Sequence, residues 1–463
     1  FDGALADITS VNVDISPPWW NVSWRYRMKV IVNATNYSRY NYPVEVTINF
    51  SDELLRFGGN GVFDNNTIRL VECDSQGSMV SYNSSELGSR RYEVPVQFEM
   101  FNGYNSSNNA VGNVIWIMNG TTLSNATRIY YIYFDTVGGD TKSFYEYNGD
   151  FRLVNNASGY EWLIKQGDAL VMRYRYGSSD GSIASQFLPF DGVVFPNGSS
   201  LKGVDLAFYY RYTTTGGSYR TADRRVSYKV VEDGPVLKKV RVVSEDSDSH
   251  VRTSVIFKYF YNPNGNIVRA YAEVEQKALT TLDYEAGRGY WDRSGNFIQF
   301  SGTNYAYHGW RDVSDTLRQY SSGTGGANPG EPGYDLGNEK WFGKYDSGGE
   351  GIFVVLNSTS NLINGSDVDG FQGTGWSSTT GMARNNDGTD QSVSAGVIWK
   401  YYPMIVGVKS GGYSAAKLWA DKYNSHIGIT KFSSELITMT DSFGNYNYTF
   451  EVDKPAGVYS VVV

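Results

Sequence analysis

The sequence predicts an all-β protein: an N-terminal β-sandwich followed by a larger β-sandwich, with one short helix near the C-terminus. Three observations carry this. Short runs of alternating apolar and polar residues recur along most of the chain, separated by polar turns, which is the pattern of half-buried strands. Aromatic residues make up 15% of the 463 residues, with 37 Tyr and 11 Trp, against only 19% charged, a balance that favours a packed core over disorder. The 51 Gly and the Asn-rich turns supply the many tight connections that an all-β chain needs.

Val11, Val13 and Ile15 alternate strictly, and Pro17-Pro18 then stops the run because proline cannot donate to a ladder. Residues 1–16 therefore read as an extended strand, pairing either within its own sheet or with a neighbouring molecule. Residues 17–138 read as a β-sandwich, with strands over Trp24 to Val32, Tyr42 to Ile48, Arg91 to Phe98 and Arg128 to Phe134. Val137-Gly138-Gly139-Asp140 marks the expected boundary, and residues 139–463 form the larger sandwich. Its strands are expected at Ala169 to Tyr176, Val204 to Tyr212, Arg225 to Val231, Val236 to Val243, Thr253 to Tyr261 and Ile267 to Val274. The stretch 287–350 is rich in Gly, Tyr, Asp and Arg and reads as long loops, which inside a domain usually serve function or an interface. The helix is expected over 415–423, with Ser414 as N-cap and Leu418, Trp419 and Lys422 on one face. Strands at Thr449 to Val452 and Val458 to Val463 close the chain, and no solenoid period is present.

A net charge of −8 argues against a nucleic-acid partner, which would call for a basic surplus. No apolar run reaches the roughly 18 residues of a spanning helix; Ala395 to Val408 comes nearest and is broken by Lys400 and Pro403. The chain starts at Phe1 without a leader-like segment, as a mature exported chain or a trimmed one would.

Asn-x-Ser/Thr sequons occur fourteen times, at Asn21, Asn33, Asn36, Asn49, Asn65, Asn83, Asn105, Asn119, Asn125, Asn156, Asn197, Asn357, Asn364 and Asn447. Such tripeptides place a bulky, solubilising glycan on surface backbone of exported proteins. None lies between Ser200 and Gly351. A glycan cannot sit inside a protein contact or a substrate cleft, so the bare middle is where an interface or site is expected. Cys73 is the only cysteine, reads as a small buried hydrophobe, and rules out an intrachain disulfide. Many sequons, no disulfide and aromatic packing together point to an exported archaeal protein at the cell surface or beyond it.

The segment Trp19-Trp20-Asn21-Val22-Ser23-Trp24-Arg25-Tyr26-Arg27, with Tyr42-Pro43-Val44-Glu45-Val46, resembles secreted archaeal and bacterial β-sandwich modules that open W-W-N-x-x-W-x-Y-R. Ile68 to Glu72 and Thr127 to Phe134 resemble the later strands of those modules, so the likeness covers about the first 135 residues. It implies a non-catalytic part of an extracellular protein. Glu232-Asp233-Gly234-Pro235-Val236 and the long strands after it are similar to the β-supersandwich domains of polysaccharide lyases and sugar mutarotases, implying a supersandwich-like second domain. No catalytic motif of those families matches residue by residue.

Candidate chemistry centres on Tyr305, Tyr307, His308 and Arg311. A lyase needs a Tyr or His base and a cation, Arg311 or Arg288 here, to neutralise the substrate carboxylate. Paired carboxylates for glycoside hydrolysis could come from Glu331, Asp335, Glu339, Asp346 and Glu350. No organic cofactor is expected. Asp367 and Asp369, and Asp387 and Asp390, sit in oxygen-rich turns that could take Ca²⁺ but lack a full calcium loop. Three dispersed His and one Cys give no expected zinc site. A phosphate loop and a nucleophile elbow are both absent from the sequence.

Two readings follow. The first is an N-glycosylated structural protein of the cell surface that polymerises with copies of itself into a filament or surface layer. In it, Val11, Val13 and Ile15 insert as a donated strand. The second is a secreted carbohydrate-active protein with its site around His308.

Overall fold

The computed structural model describes residues 19–58, 61–138, 150–176, 201–202, 205–213, 219–222, 224–262, 267–284, 295–301, 305–312, 314–321, 339–357, 371–376, 379–384, 391–439 and 446–449. The segment 1–16, with Val11, Val13 and Ile15, lies outside these residues. The fold is all-β and sandwich-like, as the periodicity predicts. The chain divides into two compact units, Phe1–Tyr147 with Ile427–Val463, and Asn148–His426. The expected boundary near residue 138 is close to the first crossing. The expected assignment of everything beyond it to one domain is corrected by the return of the C-terminal strands to the first unit. Gly428–Met439 pairs antiparallel with Tyr26–Asn33, a contact across some four hundred residues that leaves no local trace in the sequence.

In the first unit a six-stranded sheet runs in the order Tyr446–Thr449, Gly428–Met439, Tyr26–Asn33, Thr127–Thr136, Phe63–Cys73, Glu93–Val94. A three-stranded sheet runs Arg39–Asn49, Val111–Thr122, Val96–Met100. Period-2 alternation turns Met28, Val30, Val32, Tyr130, Ile132 and Phe134 of the first sheet, and Val44, Val46, Val114 and Trp116 of the second, into one buried cluster. The strand expected over Arg91 to Phe98 is broken: a 3₁₀ turn over Gly88–Tyr92 precedes it and Pro95 separates Glu93–Val94 from Val96–Met100.

The opposite face of the six-stranded sheet is covered by aromatics. Trp19, Trp20 and Trp24 bury Val71, Cys73, Tyr131 and Tyr133. Each indole N–H donates to a backbone carbonyl: Trp19 to Trp24 at 2.7 Å, Trp20 to Ser89 at 3.0 Å, Trp24 to Thr67 at 2.6 Å. The Arg27 guanidinium lies 4.4 Å from the Trp19 ring and 4.7 Å from the Tyr131 ring, a cation–π sandwich. The tryptophan-rich opening is thus a lid on a sheet face. Cys73 is buried as expected, and burial pushes its thiol up to about 11, so it is inert.

In the second unit the main sheet runs Arg224–Asp233, Leu237–Glu245, Val251–Phe260, Ile267–Ala278, Pro403–Val408, Gly351–Leu356, Trp341–Tyr345, Tyr307–Arg311, Leu317–Ser321, with Ile398–Tyr401 also on Ile267–Ala278. Val240, Val242, Val255, Phe257, Ile352, Val354 and Ile405 on one face pack with residues of two smaller sheets, among them Trp162, Tyr174, Phe208 and Ile298. On the other face Trp341, Phe353, Val355, Met404 and Val406 are covered by Ala416, Trp419 and Ala420 of the helix Gly412–Asn424. The strands Gly351–Leu356 and Pro403–Val408 are consequently buried at every position. Gly309 and Gly343 face each other in register, and a Cβ on either would run into a backbone carbonyl of the next strand, Arg318 or Ile352.

Several expectations are refined. The helix starts on Gly411, a left-handed N-cap with no side-chain bond, so Ser414 lies inside it, and Leu418 faces outward. A second helix, Phe50–Arg56, is capped by Asn49, whose side chain accepts from the Asp52 N–H. The stretch 287–350 is not one long loop, for it holds the strands Gly295–Ser301, Tyr307–Arg311, Leu317–Ser321 and Trp341–Tyr345.

The tryptophan lid gives a direct test. Trp24→Ala should lower the denaturant stability of the first unit by about 3–5 kcal/mol, whereas Val22→Ala, at an exposed position two residues away, should cost less than about 0.5 kcal/mol. Equal midpoints for the two variants in urea titrations followed by fluorescence would contradict the packing described.

Candidate functional site

Tyr307–Arg311 is a strand, so its residues alternate between opposite sheet faces. His308 and Trp310 share one face, and Tyr307 and Arg311 share the other. The four residues grouped by sequence proximity are therefore not brought together. Tyr305 belongs to the core that contains Trp310, while Tyr307 packs with the cluster under the helix. Arg311 donates to the Asp315 carbonyl at 2.6 Å and lies 3.7 Å from Glu339. This corrects the expectation of a shared catalytic site on these residues.

His308 is 1% exposed and its ring stacks on Tyr320 at 5.6 Å. Its register partner is Lys344, also 1% exposed. Burial, with the Lys344 ammonium adding to it, lowers the His308 pKa from 6.5 to about 4, and burial lowers Lys344 to about 8. A neutral imidazole sealed under aromatics cannot reach a polysaccharide. Tyr305 is equally sealed: burial, then the nearby Glu350 and Asp346 charges, push its phenol far above its ordinary value, and its hydroxyl donates to the Lys202 carbonyl at 3.3 Å.

The carboxylates expected as a hydrolytic pair are held by cations. Lys202 reaches Asp346 at 2.5 Å, Lys409 reaches Glu350 at 2.8 Å, and Glu339 accepts from Trp341 at 2.7 Å and pairs with Lys417 at 3.2 Å. Burial alone would raise Asp346, but the bonds from Lys202 and the Ala306 N–H outweigh it and hold the carboxyl below its ordinary range. A glycosidase acid needs the opposite shift. Glu331, Asp335, Arg288 and the calcium candidates Asp367, Asp369, Asp387 and Asp390 lie outside the described residues.

Sequence reasoning missed one cluster of ligating side chains. Asp246, Asp248 and His250 carry ligand atoms within 4.8 Å of one another, on the hairpin between Leu237–Glu245 and Val251–Phe260. The D-x-D-x-H spacing was its signal. Asp246 accepts from the N–H groups of His250 at 2.6 Å and Val251 at 2.8 Å and from the Tyr212 hydroxyl at 2.9 Å. That hydroxyl is also 2.7 Å from His250 Nδ1. These bonds account for a buried aspartate as the lock of a turn.

The sequons are better placed than the catalytic candidates. Asn36, Asn105, Asn119, Asn125 and Asn357 are exposed, and Asn21, Asn33, Asn49, Asn65, Asn83 and Asn156 are half-buried, so no sequon asparagine with a described side chain is buried. Asn447 is on the strand Tyr446–Thr449, and Asn197 and Asn364 lie outside the described residues. At Asn21, Asn33, Asn83 and Asn105 the side-chain oxygen accepts the N–H of the sequon Ser or Thr two residues on. That turn uses only the oxygen and leaves the amide nitrogen, the atom that carries a glycan, pointing away from the bond.

The other feature that periodicity did not reveal is a sheet edge that exposes apolar side chains. Arg224–Asp233 is the terminal strand of the main sheet, and Val226, Tyr228 and Val230 on it are 50%, 43% and 42% exposed. Tyr228 stacks on Tyr176 at 4.1 Å, which fixes its ring in place.

No family model matches this chain, and no curated protein does. Among solved structures it is similar to a glycosyl hydrolase family 38 protein from Enterococcus faecalis, with 8% identity and TM-score 0.48, covering 89% of this chain and 50% of that one. An alpha-mannosidase from Enterococcus faecalis V583 gives 10% identity and TM-score 0.47, covering 91% and 50%. A GH36 alpha-galactosidase from Geobacillus stearothermophilus gives 12% and 0.34, covering 56% and 41%. The chain spans half the length of the first two, and likeness at this level bears on neither activity nor substrate.

The buried imidazole makes stability pH-dependent. Unfolded chain takes up the His308 proton near pH 6.5 and the folded protein resists until about pH 4, so in that window the unfolded state binds more protons and stability falls with pH. The loss should approach about 3 kcal/mol below pH 4. His308→Gln should remove this contribution, seen as a flatter urea midpoint between pH 6.5 and 4; an identical slope in both proteins would show that His308 is not held neutral.

Proposed function

We propose that this chain is an N-glycosylated structural protein of the archaeal cell surface or extracellular space, which assembles with copies of itself into a filament or surface layer. The observation that carries the reading is the placement of the sequons. Eleven of the fourteen have described side chains, none of the eleven is buried, five are fully exposed, and they are spread over both units. A chain of this composition that met its Asn-x-Ser/Thr tripeptides by chance would bury some of them, as it buries Asn41 and Asn262. The absence of any possible disulfide, with three indoles and a cation–π sandwich closing one sheet face, suits an exported protein stabilised by packing alone.

Nothing favours the carbohydrate-active reading at His308, since the base is sealed and Tyr307 and Arg311 face the other way.

Intact-mass and glycopeptide mass spectrometry on protein purified from its native host test the modification, and negative-stain electron microscopy of the same sample tests the assembly. Glycan mass is expected at the exposed Asn36, Asn105, Asn119, Asn125 and Asn357 first. It should be lower at Asn49 and Asn156, whose amide nitrogens donate to Asp52 at 2.6 Å and Glu161 at 2.8 Å. Unmodified asparagines throughout, together with a monodisperse monomer, would overturn the proposal.

A further inference from the structure

We propose that the edge strand Arg224–Asp233 is the acceptor for a strand donated by a second copy of this chain, residues Val11 to Ile15. The inference rests on the self-assembly reading and names its contact.

A terminal strand presents one row of backbone N–H and C=O groups to any chain that can pair with it. Arg224–Asp233 is ten residues long, and among the described residues its only ladder is with Leu237–Glu245. Proteins usually blunt such an edge with charge, bulges or polar side chains. Here the protection is partial. Bulges fall between Arg225 and Ser227 and between Val230 and Glu232, but Ser227 to Val230 stays in regular register with Val243 to Val240. Within that stretch Tyr228 and Val230 stand opposite Val242 and Val240, on the face that carries the core, and Ser227 and Lys229 stand on the other. An apolar stripe at the rim of the core therefore continues outward to an edge with which no second described strand pairs. The far terminal strand of the same sheet, Leu317–Ser321, has no large hydrophobic side chain exposed.

The occupant is picked out by pattern and charge. In an extended conformation, period-2 alternation would set Val11, Val13 and Ile15 on one side and Asn12 and Asp14 on the other. Pairing that puts the aliphatics beside Tyr228 and Val230 puts Asp14 on the face of Lys229. Residues 1–16 carry Asp2, Asp7 and Asp14 and no Lys or Arg, whereas the acceptor carries Arg224, Arg225 and Lys229 against Glu232 and Asp233 at its far end, with Lys229 the charged residue of the regular stretch. Backbone hydrogen bonds would supply affinity, and the apolar stripe and the charge match would supply register. No sequon lies between Ser200 and Gly351, so the acceptor strand is free of attachment sites. Donation from one copy to the next is heterologous, and it propagates rather than closing.

The test uses two single-cysteine variants of the full chain, Asn12→Cys and Lys229→Cys, mixed under mild oxidation. Cys73 is buried with a thiol pushed up to about 11 and stays silent. A disulfide-linked heterodimer should form about ten-fold more than in a mixture of Asn12→Cys with Lys417→Cys, because strand pairing raises the effective concentration of the two thiols. Val230→Glu and deletion of residues 1–16 should each abolish assemblies seen by electron microscopy while leaving the melting temperature unchanged. Wild-type assemblies that persist in both variants, with cross-linking no higher than the control, would overturn the donated-strand contact and leave self-assembly standing. Absence of assemblies in the wild type would overturn the self-assembly reading and this contact with it. A double-cysteine chain that closes only on itself would overturn donation between copies.

Discussion

The second unit is governed by one constraint: the central strands of its main sheet are covered on both faces. Strands buried at every position, such as Gly351–Leu356 and Pro403–Val408, contribute the apolar area that holds the unit together, at about 1.5–3 kcal/mol for each fully buried Val, Ile, Leu or Phe. The same coverage removes side chains from solvent whatever their chemistry. His308 and Lys344 sit in adjacent strands of this sheet and are interior by position; their lowered basicity is the electrostatic cost of that position. With both faces closed, function is left to the sheet edges, the turns between strands and the surface of the helix.

The first unit meets the same constraint with different material. One face of its six-stranded sheet packs on a second sheet, and among the described residues the other has no sheet or helix to cover it. The three tryptophans of the W-W-N-V-S-W opening supply that cover, and Arg27 lies between two aromatic rings in place of an apolar side chain. An arginine is tolerated there because its planar guanidinium stacks on rings while its N–H groups remain available for hydrogen bonds. The indole N–H groups, which would otherwise be stranded by burial, each find a carbonyl.

What the sequence made legible follows from what is local. The strand expected at Arg128 to Phe134 exists as Thr127–Thr136 because alternation, length and flanking turns agreed. The strands between 295 and 345 were lost to view because burial on both faces erases alternation, and because Gly309 and Gly343 stand where a side chain would have marked the pattern. The helix was found and its orientation misjudged: the packed face is built on Ala416 and Ala420, whose small side chains let Trp419 reach the sheet, so the bulky Leu418 was a false guide. Pairing of Gly428–Met439 with Tyr26–Asn33 had no local signal at all. Among the functional candidates, proximity along the chain grouped Tyr307, His308 and Arg311, and the strand's own period separated them. The exposure of the sequon asparagines was legible because most sit in or beside polar turns, which stay at the surface.

Three of the sequon asparagines lie on terminal strands of their sheets. Asn447 lies on the terminal strand of the six-stranded sheet, Asn49 ends the terminal strand Arg39–Asn49, and Asn156 ends the terminal strand Phe151–Asn156 of the sheet it forms with Glu161–Gln166 and Ala169–Arg175. A glycan at the end of an edge strand obstructs the approach of a second chain by bulk, as a lysine or a bulge does by charge or geometry. Under the proposed glycosylation a sugar at Asn447 would guard its edge against pairing between copies, and an edge kept for a specific partner would have to lack one. Arg224–Asp233 lacks one and keeps a regular, partly apolar stretch between its two bulges. In a chain that polymerises as proposed, such a division would separate two demands, that a shielded edge repel copies of the same chain and that another accept them.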